Sequence, residues 1–377
     1  MTNRQKSHSI ANSRTQVRKH AAPSNGSAKW QRDGDFNPRG KEAVSKPSPS
    51  QKGYFEAITE IDQLLRMWLK VRNARSTRPR YVRFNESRLK NLQIIQHRLR
   101  TDTFEFGPYQ YFIVKEKTRR SVANAPLKDR SPHWLLYEHL MSQWQRRFIH
   151  DCYGNLPGKG THAAVRRLAS WTRKPSLTHA LQIDIAKYFS SVQHGYLKKV
   201  LFEREGNSHI RILLDGVIDS FITSDEFDHL FNENSPYRLT REKGIALGNL
   251  VSQIIANIYL NDFDHWIKET LRVKFYLRYV DDIILLGSSA EELTGLRKLI
   301  EVKLLEIGLS VNPKKTKIRK ISCGIPFLGY IVWPHHISAG KRVRRQYAKK
   351  LRRSDGKDNA GAMAAYNGIF KHTGATR

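Results

Sequence analysis

The feature that most restricts this chain is FYLRYVDDIILLG at residues 275–287. Two short runs of aromatic and aliphatic residues read as strands. Between them stand two adjacent carboxylates, Asp281 and Asp282. Two like charges this close repel, and one is driven toward protonation unless a counter-charge is near. A divalent cation resolves the conflict, and hard oxygen donors suit Mg²⁺ or Mn²⁺. The plainer alternative is a polar hairpin turn, where Asp is common.

A third carboxylate, Asp184, ends the apolar run Leu181–Ile185. If that strand pairs with the YVDD segment in one sheet, Asp184 and Asp281 meet at one edge. Two metals roughly 3.5–4 Å apart can then be clamped between them. In-line phosphoryl transfer requires that arrangement.

Charge points to a partner. The 377 residues carry 66 Lys+Arg against 34 Asp+Glu, a formal net charge of +32. Such a chain calls for a polyanion. Nucleic acid comes first, because phosphate neutralisation releases counterions; a membrane surface comes second. Cys152 and Cys323 are the only cysteines, so a disulfide scaffold and a Cys-based zinc site are excluded, in keeping with a reducing compartment. No apolar run approaches the roughly 20 residues of a membrane helix, and the N-terminus lacks a signal-peptide core. The expectation is a soluble, cytoplasmic protein with no membrane contact.

Residues 1–52 are rich in Ser, Asn, Pro, Gly, Lys and Arg and bury too little to offset ordering entropy. They read as a disordered basic arm. From residue 53, Phe55, Ile58, Ile61, Leu65 and Trp68 recur at helical spacing. A second helix is expected over 86–99, a strand over Tyr109–Val114, a basic strand–turn–strand over 115–130 and a helix over 131–150. GNLPGKGTHAAVRRL at 154–168 is a Gly-rich loop entering a helix. Residues 244–269 read as a turn and one long buried helix, and 291–309 as an amphipathic helix. A very basic helical segment follows from Lys341, and a last short helix is centred on residues 362–371.

These motifs resemble those of reverse transcriptases. Tyr279-Val-Asp-Asp282 is similar to the catalytic motif of that family, and Asp184-Ile-Ala-Lys-Tyr-Phe189 to its first palm motif. The resemblance implies an α+β right-hand polymerase: fingers, a palm with an antiparallel sheet, and a short helical thumb. It implies catalysis by Asp184, Asp281 and Asp282, with two Mg²⁺ ions (Mn²⁺ as substitute) held by Asp184, Ile185, Asp281 and Asp282. Phe189 would act as a steric gate against a ribose 2′-OH; core packing is its alternative. KTRR at 117–120 and PLKDR at 126–130 resemble the fingers segments around the incoming triphosphate, which implicates Lys117, Arg119 and, foremost, Arg120 in dNTP binding. Solvated edge-strand charge is their alternative. Leu247, Gly248 and Gln253 fall in the third palm motif. Lys314 or Lys315 falls where the family places a lysine near the pyrophosphate. Phe327, Leu328, Gly329 and Tyr330 resemble the hairpin that grips the primer.

Two departures narrow the group. Leu247 stands where most reverse transcriptases have Gln, and Gln253 where they have Pro. This form, with residues 154–168 and 366–375, looks like the enzymes of diversity-generating retroelements, relatives of the group II intron and retron enzymes. The resemblance implies copying of a template-repeat RNA into error-prone, adenine-mutagenised cDNA for targeted gene diversification. Its partners would be template RNA, an RNA or DNA primer, dNTPs and a small basic ring-forming accessory protein. Loss of an amide at Leu247 would relax checking of the base pair; ordinary packing is the alternative. An antiphage-defence or otherwise domesticated reverse transcriptase is a second reading. A catalytically silent RNA-binding protein of polymerase shape is a third.

The expected boundaries are 53–178 for fingers with the start of the palm, 179–335 for the palm and 336–377 for a basic thumb. KRVRRQYAKKLRR at 341–353 would rest on the template–primer duplex through sequence-independent phosphate contacts; a helix touching any anion is the alternative.

Overall fold

A computed structural model describes residues 51–72, 77–115, 119–232, 235, 237–353 and 360–375. Residues 1–50 of the arm expected at 1–52, and Lys117, lie outside the described residues, while residues 51 and 52 open the first helix. The first helix, Gln51–Ile58, opens two residues before the expected change of pattern.

Three antiparallel sheets organise the described residues. β1 (Gln110–Lys115) and β2 (Arg119–Asn124) form a hairpin. β3 (His179–Asp184), β4 (Tyr276–Tyr279), β5 (Asp282–Gly287) and β6 (Lys317–Lys320) build a four-stranded sheet in the order β4-β5-β3-β6. β7 (Ile325–Phe327), β8 (Tyr330–Val332), β9 (His336–Ala339) and the C-terminal β10 (Gly374–Ala375) form a second four-stranded sheet. The central antiparallel sheet with helices over it is the palm of a right-hand polymerase.

Strand alternation explains how the palm is buried. Successive side chains of a strand point to opposite faces. Leu181, Ile183, Ile283 and Leu285 enter the larger core, where helix Ala290–Glu306 contributes Leu293, Ile300 and Leu304 and helix Leu250–Tyr259 contributes Val251, Ile254, Ile255 and Ile258. Ala180, Ile284 and Leu286 point the other way, into a second core with Leu168, Phe327 and Tyr330. Asp184 and Asp282 continue that second face to its end.

Several elements differ from the sequence expectations. The helix expected at 131–150 runs from Leu127 to Trp144. Pro126 precedes its first residue, and Pro is tolerated at such a start because the first N–H groups lack helical partners anyway. Part of PLKDR is therefore helical rather than strand. The long helix expected over 244–269 is three pieces: Leu250–Tyr259, Asn261–His265 and a π-helical turn at Trp266–Thr270. Asn249 starts the first piece by accepting the Val251 N–H at 3.0 Å. The polar residues Asn261, Asp262 and Asp264 fall among apolar ones as on the polar face of one continuous helix, so they do not mark the later breaks. The helix expected at 86–99 spans Arg88–Arg100.

Candidate active site

The carboxylates are brought together by register. β3 and β5 pair so that Asp184 lies directly opposite Asp282. Opposed residues of an antiparallel pair have Cβ atoms about 4.5–5.5 Å apart. Asp281 occupies the turn between β4 and β5, where Tyr279 pairs with Asp282 and only Val280 and Asp281 intervene. Its carbonyl accepts the Ile185 N–H at 3.3 Å, which ties the turn to the end of β3. All three aspartates predicted from the sequence therefore meet at one sheet edge, with Ile185 beside them.

Their electrostatics are those of a buried site whose positive charge only partly offsets its carboxylates. Burial raises the pKa of Asp282 to about 7, and Asp281 and Asp184 add to the rise. Asp281 is also raised, by burial and then by Asp184. Lys315 and Arg120 pull both values down. The Lys315 ammonium lies 2.7 Å from Asp184 Oδ2. Of the two lysines left open by the sequence, Lys315 is the one at the carboxylates. Lys314 contributes its backbone N–H to the Asn312 side chain and is exposed.

This donor set fits divalent cations. It offers several hard carboxylate oxygens, excess negative charge, and a lysine ammonium standing where a cation would neutralise Asp184. Among the described residues, no three His, Cys, Asp or Glu side chains form a ready-made cage. A Mg²⁺-type ion does not need one, since it binds one or two carboxylates and completes its shell with phosphate and water oxygens.

A cleft of about 150 Å³ opens beside the carboxylates. Its walls include Gln182, Asp184, Asp282, Lys315, Phe327 and Leu328. The last two belong to the β7–β8 hairpin, whose turn residues Leu328 and Gly329 both have positive φ, 47° and 88°. Two such residues in a two-residue turn match strand twist. Gly329 is exposed at its tip, and Tyr330 is buried, with its hydroxyl 3.0 Å from His162 Nδ1.

The remaining predicted residues surround the site at different depths. Phe189 is half-buried and touches Tyr188 edge-on, and its carbonyl accepts the Ile245 N–H at 2.7 Å. The Leu247 carbonyl accepts the Ala123 N–H at 2.7 Å, docking the third palm motif on β2. Gly248 has φ 101°, and a Cβ there would stand 3.0 Å from the Ala123 carbonyl oxygen. This turn therefore requires glycine. Gln253 is half-buried on helix Leu250–Tyr259. Arg120 is exposed on β2, and its charge acts on Asp281 and Asp282; Arg119 lies in the same strand. In PLKDR, Lys128 donates to the Glu105 carbonyl at 2.7 Å and Arg130 to Asn124 Oδ1 at 2.7 Å, so both brace the fold.

Sequence reasoning missed the support behind the YVDD turn. Arg278 and Asp264 form a fully buried ion pair at 2.6 Å. Burial works against the Arg278 charge, yet Asp264 holds its pKa well above the usual guanidinium value. Arg278 is the one charged residue of the strand Tyr276–Tyr279, which does not by itself reveal a buried partner.

Comparison with known proteins identifies the family. The family model described as reverse transcriptase (RNA-dependent DNA polymerase) matches residues 113–332. Protein YkfC of Escherichia coli (strain K12) is 23% identical over 277 residues, covering 63% of this chain and 70% of that protein. An uncharacterized 91 kDa protein in cob intron of Schizosaccharomyces pombe is 24% identical over 186 residues, which is 48% of this chain but only 21% of the yeast protein. Telomerase from Candida tropicalis, solved with a TWJ fragment of telomeric RNA, superposes with TM-score 0.46 at 13% identity, over 60% of this chain and 43% of that one. The family match takes in β3, the YVDD turn and the β7–β8 hairpin, and covers more than half of the sequence: the chain belongs to the reverse transcriptases, the RNA-dependent DNA polymerases.

Proposed function

We propose that this protein copies an RNA template into DNA by adding deoxynucleotides to a primer 3′ end. The observation that carries the reading is the opposition of Asp184 and Asp282 across β3 and β5, with Asp281 in the adjoining turn. Asp184, Asp281 and Asp282, with Ile185, would hold two divalent cations, Mg²⁺ or Mn²⁺. Ions held there polarise the attacking hydroxyl and offset charge on the transferred phosphorus.

The chain's own residues supply the rest. Lys315 neutralises Asp184 in the free protein, and with cations bound at the carboxylates its ammonium would be available to triphosphate oxygens. Arg120, on the β1–β2 hairpin, binds phosphate oxygens through its forked donors, with Lys117 and Arg119 as neighbours. Phe189 fills the space of a ribose 2′-OH. Phe327–Tyr330 hold the primer end over the cleft. Lys341–Arg353 presents exposed basic residues to the duplex while Tyr347 packs on Tyr366 and Phe370. The proposed boundaries follow these roles: fingers over 53–178, palm over 179–335 and thumb over 336–377.

The finer reading is a diversity-generating enzyme acting in the cytoplasm with a small basic accessory protein. Leu247 and Gln253 support it. Leu247 is fixed through its main chain to β2, which leaves an apolar side chain where an amide would check the base pair. The test is sequencing of cDNA made from a defined RNA, with and without the neighbouring gene products. Substitutions concentrated opposite template adenines are expected. Errors spread evenly over all four bases would leave a reverse transcriptase of another kind.

A further inference from the structure

We propose that Arg278 is a positioning residue that holds the YVDD turn in its active shape by clamping Val280, in a ring closed by Asn257 and Gly154. The inference rests on the polymerase reading and adds to it a cause for the placement of Asp281.

The turn needs such a clamp. Val280 has φ 56°, the left-handed region. A β-branched residue is a genuine outlier there, and such strain persists only where surroundings over-determine it. Asp281 follows directly, so any relaxation of Val280 would swing the carboxylate.

The ring is specific. Arg278 Nη1 donates to the Val280 carbonyl and to Asn257 Oδ1, both at 3.1 Å. Asn257 Nδ2 donates to the Gly154 carbonyl at 2.6 Å. Gly154 then meets the turn from the other side: a Cβ there would lie 2.5 Å from Val280 Cγ2 and 2.7 Å from its backbone nitrogen. The Arg278 main chain completes the attachment, donating to the Asp151 carbonyl at 3.0 Å and accepting from the Tyr153 N–H at 2.9 Å. Asp264 accepts from Nε and Nη2 at 2.6–2.9 Å, Nη2 also donates to the Asn257 carbonyl at 3.4 Å, and Tyr276 Oη lies 2.5 Å from the Asp264 carboxylate.

Stability alone does not account for this arrangement. A buried ion pair often does no better than apolar residues of equal volume. What the guanidinium adds is a donor aimed at one strained carbonyl while Asp264 holds the fork in place. A lysine keeps the charge but not the fork, so it cannot serve Asp264, Asn257 and Val280 together.

The test uses the full chain with Arg278→Lys, Val280→Gly, the double variant and Gly154→Ala. Primer extension on RNA, RNA–primer affinity and Mn²⁺ binding by electron paramagnetic resonance are read on each. Arg278→Lys is expected to lower kcat about tenfold with RNA affinity within about twofold of wild type. In the Val280→Gly background most of that loss should vanish, because glycine takes the left-handed conformation unaided. Additive losses, a wild-type rate in Arg278→Lys, or a parallel loss of RNA binding would overturn the clamp. Should Arg278→Lys fail to fold, Gly154→Ala decides the question, since it leaves the ion pair alone. It is expected to show the same fall in kcat at unchanged RNA affinity, and a wild-type rate overturns the proposal. A wild-type protein that extends no primer would sink the polymerase reading. The clamp is then judged by Mn²⁺ affinity, which should weaken about threefold or more in both variants; unchanged affinity overturns it.

Discussion

Asp184 and Asp282 face each other across two paired strands, and the Lys315 ammonium sits 2.7 Å from Asp184. The sheet thus gathers negative charge that a single lysine only partly offsets. Folding works against that charge, and the proposed function requires it.

The first prediction concerns this conflict. Burial and the two neighbouring aspartates lift Asp282 from 3.8 to about 7 in the folded chain. A raised carboxyl pKa gives stability that is complete below the unfolded value and lost as pH rises through the folded one. At pH above about 7 without metal, Asp282→Asn should therefore stabilise the protein by about 1–2 kcal/mol. Urea unfolding in EDTA measures it. A variant less stable than wild type under those conditions would show that the carboxylates do not repel as described.

Asp129, on the helix Leu127–Trp144, sets a second pH dependence. It is fully buried, accepts the Gly107 N–H at 2.9 Å through Oδ2, and burial raises its pKa from 3.8 to about 6. The same sign applies: wild type loses stability as pH rises from about 4 to about 6, by up to about 3 kcal/mol. Asp129→Asn keeps the acceptor for Gly107 and removes the titration. The stability difference between the two proteins should shift toward the variant across that interval in denaturant melts. A difference that stays constant with pH would exclude ionisation of Asp129.

Phe189 is half-buried against Tyr188 and fixed through its carbonyl to Ile245. Phe189→Ala should raise ribonucleotide incorporation relative to deoxynucleotides by about tenfold or more, with dNTP use largely retained. Single-nucleotide insertion kinetics with paired dNTP and rNTP substrates read the ratio. An unchanged ratio would assign the ring to packing alone.

The basic helix Lys341–Arg353 offers a prediction about salt. Arg345 and Lys349 are exposed. If they contact phosphates, replacing both by Gln should lower the slope of log affinity against log salt by about 1–2 and weaken all sequences alike. Fluorescence anisotropy across a salt series measures this. A slope equal to wild type would remove the helix from the nucleic-acid interface.

Much of the site was legible because its chemistry is local. Asp281 and Asp282 are adjacent, Asp184 ends an apolar run, and antiparallel pairing of such runs brings their ends together. The choice between Lys314 and Lys315 was not legible, since both are exposed in one turn and only its folded path turns Lys315 toward Asp184. Arg278 escaped for a different reason. Its partners Asp264 and Asn257 lie on two other elements, the helices Asn261–His265 and Leu250–Tyr259, and a lone Arg in a strand does not reveal that it is buried. The breaks after Tyr259 were hidden because Asn261, Asp262 and Asp264 interrupt the apolar residues as the polar face of a single helix would, and the early start of the helix at Leu127 by the basic residues around it. The C-terminal strand Gly374–Ala375, which pairs with β9, is too short to leave a pattern.

The most direct test of the central claim is primer extension on an RNA template with dNTPs and Mg²⁺, comparing wild type with Asp184→Ala and Asp281→Ala at matched RNA affinity. Wild type should extend the primer, and either substitution should lower the rate by about 10³-fold or more while RNA still binds. Extension by the variants at the wild-type rate would contradict the claim that these aspartates carry the reaction.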